Sequence, residues 1–171
     1  MEAAIIVSIL LYLFSTAAYM AYFFLQKKRL QHAGYLLLLG GFFAHTVAIG
    51  LDAVRQGHIP VTNMRETLTF AGWATAGLFI LLNYRYKLKI LGVYAAPLVA
   101  LIMVIVSLLP DEPAKTTQLF KSVWLVAHVT AIFMGEAAFA LACGAGILYL
   151  VQENSIKSKK HRFFFKRLPS L

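Results

Sequence analysis

Four ionisable side chains lie inside long apolar segments, where charged and titratable groups are energetically costly and usually serve a function. They are His45, Asp52, His128 and Glu136. Imidazole and carboxyl groups in such places can ligate a metal, pass protons, or form hydrogen bonds between neighbouring helices. The sequence therefore marks these four positions as the first candidates for chemistry.

His128 has an aromatic neighbour on the same side of its predicted helix. Trp124 precedes it by four residues, which is about one helical turn. A neutral imidazole at this position can ligate a haem iron while the indole packs on the macrocycle. The alternative is a histidine bonded to a neighbouring helix and a tryptophan that anchors the helix at the membrane interface. The spacing by itself leaves both interpretations open.

His45 and Asp52 form a second pair, seven residues or about two turns apart on nearly the same helix face. Such a pair can relay protons, hold a metal ligand in one tautomer, or bind two helices together. Asp52 lies three residues before Arg55, near the end of its apolar segment, which favours a structural role. His45 lies deeper, and its position favours neither role over the other.

Several classes of site are excluded by the residues that are missing. Cys143 is the single cysteine, so the chain can form neither an internal disulfide nor a thiol redox pair. The sequence has no glycine-rich phosphate loop, no zinc-hydrolase motif and no recognisable set of nucleophile and base. The residues therefore favour a component of a larger system over an independent enzyme and leave the question of catalysis open.

The elements that carry these residues are predicted to be membrane-spanning helices. Of the 171 residues, 60% are apolar and 13% are charged, compared with about 25% charged residues in soluble domains. A span needs about 20 apolar residues, and within lipid only a helix or a closed barrel satisfies its backbone. The prediction is an all-α polytopic membrane protein, a bundle of five transmembrane helices in one domain over 1–151. The predicted spans are about 3–25, 34–54, 67–82, 88–109 and 122–151.

The basic residues predict the orientation of this bundle and explain most of the net charge of +9. Twelve of the 16 lie in three segments that alternate with the other connections, which predicts an outside N-terminus and a cytoplasmic C-terminus. They are Lys27, Lys28, Arg29, Arg85, Lys87, Lys89, Lys157, Lys159, Lys160, Arg162, Lys166 and Arg167. A nucleic-acid partner is therefore not expected. The basic cytoplasmic tail, 152–171, includes three phenylalanines at 163–165 and is expected to contact anionic membrane lipid.

The first outer loop ends in a sequence that is typical of a helix start. Asn63 and Glu66 form an N-x-x-E capping box at the beginning of the third span. His58 lies earlier in this loop, and we expect it to be exposed to solvent.

The same loop belongs to a longer pattern that resembles a known family. Residues 57–73 read G-x-x-P-x-x-N-x-x-E-x-L-x-F-x-x-W, and the fifth span carries the W-x-x-x-H arrangement of Trp124 and His128. His45 followed by Thr46 also fits the second span of that family. In these features the chain resembles cytochrome c assembly proteins of the CcsA/ResC type, and the resemblance covers most of its length.

The resemblance implies a membrane component of cytochrome c biogenesis in the bacterial inner membrane, which exports or presents haem at the outer face. It implies haem b as cofactor, and haem, apocytochrome c and a ResB-type membrane protein as partners. His128 matches the position of an axial iron ligand, with Trp124 as packing partner. His45 is a further candidate for cofactor binding, and Arg65 and Lys121 are candidate contacts for the haem propionates.

The chain also departs from the family pattern. A tryptophan-rich segment and a second outer histidine that follow in the family are absent, so this chain would be an N-terminal part with an incomplete haem site. Its tail would be the connection to a missing C-terminal half. Arg65 stands where many members carry tyrosine. Two other functions remain open, a membrane regulator of haem synthesis with the same fold and a proton-coupled transporter or quinone-linked subunit that uses His45, Asp52 and Glu136.

Overall fold

The computed structural model describes residues 2–110 and 122–157, and all regular structure within these ranges is helical. The five helices are α1 (Glu2–Leu25), α2 (Lys28–Gln56), α3 (Met64–Tyr86), α4 (Gly92–Leu108) and α5 (Val123–Lys157). A short 3-10 turn, Lys89–Leu91, leads into α4. All five segments are long and apolar enough to cross a membrane, which confirms the predicted five-helix fold.

Three helices extend beyond the predicted spans because polar residues continue the helix past the apolar segment, and α3 exceeds the predicted 67–82 at both ends. Helix α2 begins at Lys28, six residues before the predicted start, so the connection from α1 is only Gln26 and Lys27. Helix α5 continues to Lys157 and includes the first part of the predicted tail. Residues 111–121, with Lys121, and the basic-aromatic remainder of the tail from 158 lie outside the described residues.

Helix α4 occupies the centre of the bundle. It packs against α1 on one side and α3 on the other, while α2 covers α1 and α5 covers α3. In the apolar segment that contains α4, Lys89–Leu108, 56% of the residues in an 18-residue stretch are buried. This is the largest buried share among the five segments. The short connections make α1 to α4 run in alternating directions. Phe133 of α5 meets Phe70 near the start of α3, and Gly144 meets Tyr94 near the start of α4, so α5 runs parallel to α3. The N-termini of α1, α3 and α5 therefore share one side of the bundle, which we call the loop side because it carries the connection at 57–63.

The contact between α1 and α2 is built from aromatic rings that lie against glycines. Buried side chains of α1 repeat at alternating intervals of four and three residues, the spacing of a helix-packing seam. They are Ser8, Tyr12, Ser15, Tyr19 and Tyr22. The ring of Tyr12 lies where Gly41 has no side chain, so that a Cβ there would come within 2.9 Å of the ring. Ser15 Oγ donates a hydrogen bond of 2.7 Å to the carbonyl of Gly34.

This packing predicts that a methyl group added at Gly41 destabilises the bundle, whereas one added at Gly50 does not. We expect Gly41→Ala to lower the free energy of unfolding by about 1–3 kcal/mol, because the enclosed Tyr12 ring has to move. Gly50→Ala is the matched control on the same helix, since nothing lies within 4 Å of a Cβ at that position. Thermal unfolding in detergent measures both, and equal midpoints for the two variants would contradict the assignment.

Candidate functional site

The loop side of the bundle is organised by the carboxylate of Glu66 in the first turn of α3. It accepts hydrogen bonds of 2.8 Å from the Thr62 backbone N–H, the Thr62 hydroxyl and the Gln56 side-chain amide. Asn63 Oδ1 accepts the Glu66 N–H, also at 2.8 Å, which confirms the predicted N-cap. The carboxylate also reaches back to Thr62, the residue before this N-cap. Glu66 therefore joins the end of α2, the loop and the start of α3.

A second cluster lies one to two turns further along α3, around Trp73. Its Nε1 donates a hydrogen bond of 2.9 Å to Thr46 Oγ1, and its ring stacks on Phe42 with centroids 5.6 Å apart. Phe70 contacts both Trp73 and Phe133, in each case with centroids 5.2 Å apart. The phenylalanine and tryptophan of the 57–73 pattern thus connect α3 to α2 and to α5.

His45 lies in the interior, between α1 and α3. Its side chain has no exposed surface, and its Nδ1 lies 3.3 Å from the hydroxyl of Tyr12. The two rings meet edge to face at 5.9 Å. The backbone of Thr69 on α3 lies nearby, but the buried Nε2 has no hydrogen-bond partner among the described residues. This enclosure leaves no room for a porphyrin at His45 in the observed conformation.

His128 has the opposite environment. It lies in the second turn of α5 near the loop side, is exposed, and makes no hydrogen bond or ion pair to the described residues. Trp124, one turn earlier on the same face, is 81% exposed. Neighbouring helices contact the opposite face of α5, through Phe133, Ala137 and Leu141. An accessible imidazole beside a free indole fits an axial ligand with a ring that packs on the macrocycle.

The remaining candidates do not join His45 or His128 in a single cluster. Asp52 is half-buried near the end of α2, and Arg65 is half-buried in the first turn of α3. Glu136 is exposed on α5, two turns from His128. Within residues 2–110 and 122–157, no three of the histidine, cysteine, aspartate and glutamate side chains come together to form a metal site.

Two features of the site were not anticipated from the sequence. His58, which we expected to be exposed, is buried in the loop, where its Nδ1 donates to the Ile59 carbonyl at 2.8 Å. Tyr12 was not singled out as the partner of His45. The alternating four-and-three spacing of hydroxyl side chains in α1 is the signal that could have indicated a buried polar seam.

Comparisons with known proteins show the family of this chain. The family model described as "Cytochrome C assembly protein" matches residues 61–171, which include Glu66, Trp73 and all of α5. The chain belongs to this family. The predicted resemblance is therefore confirmed, and the five apolar helices are those of a multi-pass membrane protein.

Individual relatives extend the similarity towards the N-terminus. Protein HemX of Brevibacillus brevis is 27% identical over 166 residues, 96% of this chain and 61% of that protein. The cytochrome c biogenesis protein CcsA of Chlorella vulgaris is 34% identical over 62% of this chain and 35% of its own length. CcsA of Guillardia theta is 28% identical, with 81% and 47% covered. The chain thus spans only about a third to three fifths of these relatives, and no solved structure matches it.

The Glu66 cluster predicts that the loop depends on one carboxylate. We expect Glu66→Ala to open the loop, because it removes the acceptor of three hydrogen bonds, each worth about 1.5–3 kcal/mol when a charged group accepts it. Trypsin applied to the loop side of proteoliposomes should then cleave at Arg55 or Arg65 several-fold faster than in the unaltered protein. Glu136→Ala, on the exposed face of α5, is the control and should leave the cleavage rate unchanged. Unaltered cleavage of Glu66→Ala would show that the loop is held by other contacts.

Proposed function

We propose that this chain is part of a membrane component of cytochrome c biogenesis that presents haem at the outer face for attachment to apocytochrome c. Membership in the cytochrome c assembly family supports the biological process. The relatives named as cytochrome c biogenesis proteins support it further. In this role the chain delivers haem to a synthase system rather than acting as an independent enzyme.

The observation that carries the proposal is the exposed pair of His128 and Trp124 on the free face of α5. Haem supplies an iron that accepts a neutral imidazole as axial ligand and an apolar ring system that an indole can cover. His128 would be that ligand and Trp124 the packing partner. Arg65, on the same side of the bundle, would contact a propionate, and Lys121 would be a second such contact. The cofactor would be haem b, and one chain offers one outer ligand.

His45 enters the proposal differently. It is fully buried, with Nδ1 3.3 Å from the Tyr12 hydroxyl of α1. A haem contact by His45 would require α1 or α3 to move away. We therefore assign the iron to His128, and His45 becomes a ligand only in a rearranged bundle.

We further propose that the loop side faces outwards. The described basic residues of the opposite side, Lys27 to Arg29 and Arg85 to Lys89, flank the two short connections there. The positive-inside rule then favours a cytoplasmic C-terminus in a bacterial inner membrane, with the basic tail near anionic lipid. His128 would face apocytochrome c and a ResB-type partner from the outer end of α5.

No structural observation favours the proton-coupled alternative over this proposal. His45 is enclosed between α1 and α3, whereas Glu136 lies on the exposed face of α5. A regulator of haem synthesis with the same fold would not need an exposed imidazole at the outer face. A measurement of haem binding therefore distinguishes this alternative from our proposal.

The first test is titration of the purified protein with hemin in detergent. We expect a Soret band that shifts on binding, and we expect His128→Ala to weaken binding at least tenfold, because the mutation removes the iron ligand. Trp124→Ala should weaken it less, since only ring packing is lost. Absorbance titration and thermal unfolding of the same samples separate loss of the ligand from loss of the fold.

His32→Ala is the matched control for this test. His32 is also an exposed histidine on a long helix, but it lies at the opposite side of the bundle. Its replacement should leave hemin binding unchanged. If His128→Ala and His32→Ala bind hemin as tightly as the unaltered protein, His128 is not the ligand.

Thiol labelling tests the proposed orientation. In a Cys143→Ser background, the variant Arg55→Cys should react with a membrane-impermeant maleimide on intact cells, since position 55 is exposed on the loop side. Tyr86→Cys, exposed on the other side, should react only after the membrane is permeabilised. The reverse labelling pattern would place the loop side in the cytoplasm.

A further inference from the structure

Helix α4 begins deeper in the bundle than the neighbouring helices end, at the side opposite the loop side. The ring of Tyr19 lies against Gly92, the first residue of α4, where a Cβ would overlap it. The same ring meets Phe79 of α3 edge to face, with centroids 6.3 Å apart. Helix α1 continues six residues beyond Tyr19 to Leu25, and α3 continues seven residues beyond Phe79 to Tyr86. The start of α4 therefore lies about 10 Å below these two helix ends.

Two buried polar atoms near the start of α4 have no partner among the described residues. The hydroxyl of Tyr19 reaches Gly92, and the side chain of Tyr19 has no exposed surface. Asn83 Oδ1 is buried one turn beyond Phe79 on the same face of α3. Leu91, the residue before α4, offers no side chain to cap the helix. Since buried polar groups nearly always have a partner, a hydroxyl aimed at an uncapped helix start indicates a ligand outside these residues.

The groups around this hydroxyl are suited to an anion. A tyrosine hydroxyl can donate to an oxyanion, and the N-terminus of a helix carries a partial positive charge. Lys87 and Lys89 lie in the connection that leads into α4. Lys27, Lys28 and Arg29 lie between α1 and the first turn of α2. All five cations are exposed, and none forms an ion pair with a described residue.

The positive-inside rule accounts for the number of these cations but not for their position around a buried hydroxyl. Tyr19 contacts Gly34 of α2 as well as Gly92 of α4, so both basic connections lie close to this one residue. Among the described residues of this side, Glu153 on α5 is the only acidic one. The cations therefore leave a net positive charge that favours an anionic ligand.

The position of these groups indicates that the anion belongs to a lipid. They lie at one end of the membrane spans, where the phosphates of the bilayer meet its hydrocarbon core. Large apolar and aromatic side chains beside the cations are more than half exposed, namely Phe24 and Leu25 at the end of α1 and Tyr84 and Tyr86 at the end of α3. A phosphate that carries acyl chains can contact the charges and these apolar surfaces together, whereas a phosphate from water would contact only the charges.

We infer that the start of α4 binds the phosphate of an anionic phospholipid, which accepts a hydrogen bond from the Tyr19 hydroxyl. Lys89 neutralises the phosphate from the connection into α4, and Lys28 does so from the start of α2. The hydroxyl is enclosed in the observed conformation, so the connection at 87–91 has to shift slightly for a direct hydrogen bond. The site requires no haem and does not depend on which side of the membrane the connections face. It is therefore independent of the proposed function.

Native mass spectrometry of the protein released from bilayers with equal parts of phosphatidylglycerol and phosphatidylcholine tests the site. We expect the unaltered protein to retain phosphatidylglycerol several-fold more than phosphatidylcholine. Tyr19→Phe should lower this retention roughly tenfold, because a hydrogen bond to the phosphate is lost while the ring and the net charge are kept. Tyr12→Phe is the matched control, since it removes a buried hydroxyl from the same helix about 10 Å nearer the loop side.

A second pair of variants tests the charges. Lys28→Gln combined with Lys89→Gln should also lower the retention of phosphatidylglycerol, because each connection loses one cation. Arg55→Gln, which removes an exposed cation on the loop side, should leave it unchanged. Thermal unfolding in detergent checks the fold of each variant. If Tyr19→Phe fails to fold, the lysine variant decides the test, since both of its positions are exposed.

Three results would overturn the inference. Equal retention of the two lipids by the unaltered protein would show that the site does not select an anionic headgroup. Equal retention of phosphatidylglycerol by Tyr19→Phe and Tyr12→Phe would leave only a general attraction of the cations to the membrane surface. Displacement of the bound lipid by inorganic phosphate would identify a soluble anion as the ligand.

Discussion

The absence of water within the membrane is the constraint on which the structure depends. Between helices in lipid there is little hydrophobic driving force, so close packing and satisfied polar groups have to hold the bundle together. The hydroxyls of Thr16, Thr46 and Thr75 each donate to the carbonyl four residues earlier, which removes their need for another partner. Thr46 also accepts the indole N–H of Trp73. The indole N–H, which would be costly without a partner in lipid, thus forms a hydrogen bond that joins α2 and α3.

The same constraint separates the polar residues of the chain into two groups. Glu66 accepts three hydrogen bonds, and His45 is buried against Tyr12, so both contact neighbouring parts of the helix framework. His128 and Glu136 lie exposed on α5 without a partner among the described residues. Because a group of this kind is costly in lipid, its retention requires something outside the described residues. This difference in environment, rather than residue type, gives His128 the stronger claim to a function.

The sequence predicted the number and type of elements because hydropathy over about 20 residues reflects a local requirement of the bilayer. It also predicted the start of α3, since Asn63 and Glu66 act on backbone groups within one turn. It could not predict that His45 is enclosed while His128 is exposed, because both are single polar residues in similar apolar helices. Their exposure depends on which helices are neighbours: α2 packs closely along α1, whereas α5 packs mainly on α3 and only slightly on α4. His58 was misjudged for the same reason, since loop composition does not reveal that the loop folds onto Ile59.

The packing of the bundle determines the candidate site by fixing the rotation of α5 about its own axis. Phe133 meets Phe70, which also contacts Trp73, and the ring of Tyr94 on α4 occupies the space that Gly144 leaves open. These contacts lie on one face of α5 about three turns apart, so they fix the direction of every other side chain on a rigid helix. Phe133 is five residues from His128, or about 140° around the helix. Packing of the phenylalanine inwards therefore directs the imidazole outwards. The aromatic residues of the 57–73 pattern thus determine the accessibility of His128 without touching it.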